Sequence, residues 1–170
     1  MNNDKKQFKV VSIKELLNNG VAEESLRKVC EELYDITDFL CEDYPKYNSW
    51  FYKKHMPAVF LPNSGRDIIV AYDEDKNICG TSFIKEDDVE KKICTLFVEP
   101  KVRGMGVGTM LVEKSMEILG TTKPLITLAE YKLPIFQKLI EKYNWEKTEE
   151  VSGLYNENYK ELVYNGFLTK

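Results

Sequence analysis

The chain has 170 residues, 43% of them hydrophobic and 31% charged, which suits one soluble domain over residues 1–170 with a buried core. Its net charge of −4 argues against a nucleic-acid partner, and no apolar run approaches the roughly 18 residues that a membrane-spanning helix needs. The opening MNNDKKQFK is too polar for a secretory signal, so a cytoplasmic location is expected. In chain order, Phe8 to Val11 reads as a first strand. Ser12-Ile-Lys-Glu15 is a capping-box pattern that starts a short helix ending at Asn19-Gly20. From Ala22 onward Leu26, Val29, Leu33, Ile36 and Leu40 recur at helical steps, giving a helix of about five turns with one core-facing stripe. Asp43-Tyr44-Pro45 ends it, Tyr47 to Met56 is a further helix with Pro57 after it, and Leu61 to Gly65 is loop.

Strands follow. Asp67 to Tyr72, Ile78 to Ile84 and Ile93 to Val98 are apolar runs joined by the short polar turns Asp73 to Asn77 and Lys85 to Lys91, the pattern of an antiparallel meander. After a glycine-rich turn comes a helix in which Val107, Met110, Leu111 and Ile118 share a face, stopped at Gly120. Pro124 to Leu128 is a strand entered from a helix, and so parallel to the one before it. Leu133 to Tyr143 is a helix with Pro134 in its first turn, and Trp145 to Val151 and Tyr159 to Phe167 form a closing pair of strands around the loop Gly153 to Asn158. Cys30, Cys41, Cys79 and Cys94 lack C-x-x-C spacing and read as small buried hydrophobes. His55 is the only histidine, so no His/Cys metal site is expected.

The chemistry concentrates in Ile93 to Leu119: strand, then Arg103-Gly104-Met105-Gly106-Val107-Gly108, then helix. A helix start offers unpaired N–H groups and the positive end of a dipole, and glycines let a bulky anion approach the backbone. With Arg103 in front, the arrangement reads as a phosphate cradle, against the plainer reading of a tight turn with helix-packing glycines. The dinucleotide fingerprint G-x-G-x-x-G does not fit, because its third glycine would fall at Thr109 or Leu111. The P-loop does not fit either, since no Gly-Lys pair follows.

These residues resemble the Gcn5-related N-acetyltransferase (GNAT) family, whose signature [QR]-x-x-G-x-[GA] is met here by Arg103, Gly106 and Gly108 after Leu96-Phe97-Val98-Glu99-Pro100. The resemblance covers about residues 8 to 167. It implies an α/β (α+β) fold, a mixed central sheet of about seven strands flanked by helices. It implies acetyl-CoA as co-substrate, with its diphosphate on Arg103, Gly104, Met105, Gly106, Val107, Gly108 and Thr109, and its pantetheine arm along Leu96, Phe97 and Val98. The implied activity is direct acetyl transfer to a primary amine, the carbonyl oxygen held by a backbone N–H near Leu96 or Phe97.

One departure stands out. The family often has a tyrosine as the acid for the leaving thiolate, in a pattern like L-Y-E-K-x-G-F, but here the run is Leu139-Ile140-Glu141-Lys142-Tyr143-Asn144-Trp145. Ile140 cannot donate a proton, which leaves Tyr143 and Tyr131 as candidates against their plain reading as packing residues. For the base the candidates are Glu99, Thr95 and Glu130, or ordered water. The missing tyrosine keeps a second hypothesis open, a catalytically idle acyl-CoA-binding or interaction domain of the same fold. In the family the acceptor enters between two loops, which here are Leu40 to Trp50 and Gly153 to Tyr159. Glu42, Asp43 and Tyr155 in them point to a small or peptidic cationic amine as acceptor. The sequence leaves the oligomeric state open, a homodimer being one option.

Overall fold

The computed structural model describes residues 7–168; residues 1–6, which carry most of the polar opening, lie outside the described residues. One seven-stranded mixed sheet has the order β1-β2-β3-β4-β5-β7-β6. Its strands are β1 (Lys9–Ser12), β2 (Arg66–Tyr72), β3 (Ile78–Glu86), β4 (Lys91–Val98), β5 (Leu125–Ala129), β6 (Lys147–Ser152) and β7 (Lys160–Tyr164). β1 to β4 run as an antiparallel meander, β4 and β5 are parallel, and β5, β7 and β6 are again antiparallel. The helices are α1 (Ile13–Asn18), α2 (Glu23–Thr37), α3 (Tyr47–Trp50), α4 (Met56–Val59), α5 (Val107–Leu119) and α6 (Leu133–Lys142). None among the described residues is long and apolar enough to cross a membrane.

The period of two along β2 divides the core. Ile68 and Val70 face one side and meet Leu26, Leu33, Phe51 and Val59 of the N-terminal helices. Ile69 and Ala71 face the other and belong to the core that holds Leu111 and Val112 of α5 and Leu139 and Ile140 of α6. A strand covered on both faces needs apolar residues throughout, which is why this run does not alternate.

Several local expectations are refined. Ser12 caps α1 by accepting from the Glu15 N–H at 3.1 Å, one half of the capping box, while the Glu15 carboxylate pairs with Lys114 at 3.0 Å. The second helix stops at Thr37 and tightens into a 3-10 turn over Asp38–Glu42. Its buried stripe is Leu26, Cys30, Leu33, Thr37 and Leu40, while Val29 and Ile36 are half-buried. Thr37 is tolerated inside because its hydroxyl bonds the Leu33 carbonyl at 2.8 Å and the Tyr47 hydroxyl at 2.7 Å. The helix expected to end before Pro57 instead runs through it. It widens into a π turn over Phe51–His55 and returns to α4, the wider turn falling just before Pro57, whose ring and missing N–H disrupt the regular ladder there. Cys30 and Cys79 are buried as expected, but Cys41 and Cys94 are half-buried.

Candidate active site

The site is built on a split in the sheet. β4 and β5 pair only at Lys92 with Leu125 and at Ile93 with Ile126. Just beyond, the β3–β4 register shifts: Ile84 faces Ile93 and Phe83 faces Thr95, so Cys94 is an extra residue that bends β4 away. From Cys94 to Val98 the strand edge toward β5 is unpaired, and a cavity of about 1260 Å³ fills the gap. Cys94, Thr95, Leu96, Phe97 and Val98 form one wall, and Thr127 and Leu128 of β5 belong to the other.

At the C-terminal end of β4 the cavity meets the glycine turn. Gly104 and Gly106 take φ of 83° and 89°, a left-handed conformation costly for most side chains, and Gly106 is the N-cap of α5. Built at either position, a Cβ would meet nothing within 4 Å, so the surface beside them is open. The Arg103 Nε donates to the Val98 carbonyl at 3.0 Å, which ties its guanidinium to the strand end. Arg103, Gly104, Val107 and Gly108 line the cavity, while Met105, Gly106 and Thr109 belong to the same turn and first helical turn without lining it.

The two loops expected to flank the acceptor meet each other. Tyr44 packs edge-on against Tyr155, ring centroids 5.2 Å apart, and the Asn156 side-chain amide donates to the Glu42 carbonyl at 3.2 Å. Both tyrosines line the cavity. Glu42 and Asp43 do not, and the expected acidic wall is absent among the described residues. Asp43 pairs with Lys132 at 3.0 Å and accepts a hydrogen bond from the Tyr131 hydroxyl, so its charge is already met. The lining is instead rich in Lys and Arg, with Glu90 its only acid among the described residues.

The candidate acids and bases are scattered. The Tyr143 hydroxyl donates to Glu113 at 2.7 Å and its ring stacks on Trp145, away from the cavity lining. Tyr131 is exposed, its hydroxyl turned to Asp43. Glu99 sits in the turn after β4, where its N–H donates to the Cys79 carbonyl at 2.9 Å. Neither Glu99 nor Glu130 lines the cavity, whereas Thr95 does. Ile140 is buried in the core between α5 and α6.

Sequence reasoning missed Glu161. It lies on β7 opposite Ala129 of β5 and is 3% exposed. Its Oε1 accepts from the Tyr44 hydroxyl at 3.4 Å, and its Oε2 has no hydrogen-bond partner. Burial pushes its carboxyl up to about 7, against the opposing pull of Lys132 and of the Tyr44 hydrogen bond. Burial, with Glu161 next, also raises the Tyr44 hydroxyl, which therefore stays protonated at neutral pH. The one available signal was an acid inside the apolar strand run Leu162-Val163-Tyr164.

A mixed sheet split at its parallel pair, with a glycine turn and helix start at the mouth of the split, defines the acyltransferase fold that the motif implied. The chain matches the model of the acetyltransferase (GNAT) domain over residues 64–155 and belongs to that family. A GNAT family acetyltransferase from Elizabethkingia anophelis with acetyl-CoA bound is 13% identical, with a TM-score of 0.58 over 95% of this chain and 97% of that one. Spermidine N-acetyltransferase from Vibrio cholerae, in complex with CoA and spermine, is 14% identical, with a TM-score of 0.55 over 93% and 94%. A nourseothricin acetyltransferase is 18% identical, with a TM-score of 0.54; the match covers 61% of this chain and 66% of that protein's length. At such identities the likeness is one of fold. No curated protein sequence matches the chain.

Proposed function

We propose that this protein transfers the acetyl group of acetyl-CoA directly to a primary amine. The split between β4 and β5 carries the reading. The free edge from Cys94 to Val98 can hydrogen-bond an extended ligand as a neighbouring strand would. The Arg103–Gly108 turn fits a diphosphate, since it joins an open helix start, two left-handed glycines and a tethered guanidinium. Leu96, Phe97 and Val98 would hold the pantetheine arm, and the N–H groups near Leu96 and Phe97 would face the carbonyl oxygen as it gains charge. Acetyl-CoA would supply the activated thioester carbonyl. A cytoplasmic location is compatible with this reading.

In the balanced reaction the amine nitrogen bonds the acyl carbon, the carbon–sulfur bond breaks, and one proton passes from nitrogen to sulfur. An alkylamine, with pKa about 10, is mostly cationic at neutral pH and must first lose a proton. Tyr44 lines the cavity and can pass that proton to Glu161, whose carboxylate is free to accept above pH 7. Ile140 gives the leaving sulfur no proton. An idle acyl-CoA-binding domain has no use for a buried carboxylate with a raised pKa beside its cavity, so Glu161 favours the enzyme.

Incubation with acetyl-CoA and a panel of primary amines tests the reading. Amine-dependent thiol release, with the acetylated amine detected by mass spectrometry, is the expected result. Acetyl-CoA binding with no thiol release for any amine would replace it with the idle domain.

A further inference from the structure

The cavity has a second cationic end, opposite the glycine turn. Arg66 on β2 faces Lys85 on β3, and Lys85 faces Lys92 on β4. All three line the cavity and cross the sheet as one row. Directly opposed side chains on neighbouring strands stand only about 5 Å apart at Cβ, so three like charges in register repel. Glu90 and Asp87 answer Lys85 at 2.7 and 3.1 Å. Arg66 and Lys92 form no ion pair among the described residues. Arg66 is nevertheless 9% exposed, and its side-chain partner is the His55 Nδ1 at 3.0 Å. Its neighbour Asp67 points the other way, to the Ser12 hydroxyl at 2.5 Å and the Lys14 N–H at 3.1 Å. Lys53 and Lys54, from the π turn that also carries His55, line the same cavity.

Burying a guanidinium with no carboxylate is costly, and its planar fork suits a carboxylate or a phosphate. This end is not the diphosphate cradle. Lys92 and Val98 lie about 20 Å apart along β4, and the glycine turn is farther still. The acetyl-bearing middle of the strand falls between the two cationic ends.

We propose that the acceptor is a primary amine that also bears an acidic group, a carboxylate or a phosphate, held by Arg66 and Lys92 beside Lys85. This deepens the acetyltransferase reading and rests on it. The amine of such a molecule is directed toward Tyr44 and the middle of β4, while its anionic group neutralises the row. The cationic acceptor expected from Glu42 and Asp43 would meet lysines instead.

The test is thiol release from acetyl-CoA with matched amines: α-amino acids against their carboxamides, and phosphoethanolamine against ethanolamine. The first pairs read a carboxylate and the second a phosphate. In at least one arm the acidic member should have kcat/KM higher by about tenfold or more, as expected for a desolvated charge pair. Arg66→Gln and Lys92→Met should each remove most of that advantage through KM for the amine, with KM for acetyl-CoA little changed. Arg66 is buried and its variant risks misfolding; Lys92, which is only half-buried, keeps the test open. Equal use of both members of every pair, or a preference untouched by Lys92→Met, overturns the inference and leaves the acetyltransferase standing. Acetyl-CoA binding with no thiol release from any amine overturns both.

Discussion

Arg66 donates to His55 Nδ1 at 3.0 Å, and this contact fixes the state of the histidine. With Nδ1 accepting, the proton sits on Nε2, which donates to the Asp67 carbonyl at 3.1 Å. The neutral ring stacks on Trp50 and Phe83, centroids 4.7 and 5.4 Å away. Burial, and then the Arg66 charge, hold its pKa down to about 3. A guanidinium that opens the acceptor end of the cavity is thus aimed by a histidine that does not charge at neutral pH.

Acid stability follows from that pair. The folded value lies below the ordinary 6.5, so the unfolded chain binds more protons between the two values. This contribution is present above pH 6.5 and is lost as the pH falls toward 3, by about 1.4 kcal/mol per pH unit. Urea titrations of wild type and His55→Gln at about pH 7 and about pH 5 check it: wild type should lose about 2 kcal/mol more than the variant over that interval.

Glu161 gives the opposite sign. Its folded pKa of about 7 lies above the ordinary 4.5, so the contribution to stability is present below pH 4.5 and is lost as the pH rises through 7. Glu161→Gln should therefore be more stable than wild type at alkaline pH, by about 2 kcal/mol, with the gap closing in acid. Its kcat/KM should fall about tenfold or more and lack the rise through pH 7 expected of wild type. A variant that keeps the wild-type pH profile would remove Glu161 from the proton path.

Tyr143 makes a sharper negative control. Its hydroxyl is held by Glu113 at 2.7 Å outside the cavity lining, so Tyr143→Phe should keep kcat within about twofold, far from the loss that a missing acid causes. Restoring the family residue with Ile140→Tyr should fail, because position 140 is 9% exposed in the core; overpacking should cost about 1–3 kcal/mol, measured by thermal unfolding.

The strand–turn–helix unit from Ile93 to Leu119 was legible because its signals are local: an apolar run, Arg103 before spaced glycines, and helical periodicity stopped by Gly120. The meander was legible from its turns, and the capping box from Ser12 and Glu15. The split was not, since it arises from an extra residue, Cys94, set against a partner strand far along the chain. Glu161 and the Arg66–Lys85–Lys92 row were invisible for the same reason, because burial and register join residues distant in sequence. That Glu42 and Asp43 lie outside the cavity lining was not legible, because Asp43 looks free in sequence and only the fold brings Lys132 to it.

The glycine turn gives the most direct measurement, a calorimetric titration of acetyl-CoA into wild type and Gly106→Asp. The aspartate would sit on a left-handed N-cap with φ of 89° and place a carboxylate beside the proposed diphosphate position, so affinity should fall about tenfold or more. Saturable binding to wild type, with that loss in the variant, is the result predicted. Absence of binding to folded wild type at millimolar acetyl-CoA would contradict the assignment of the split and its turn as an acetyl-CoA site.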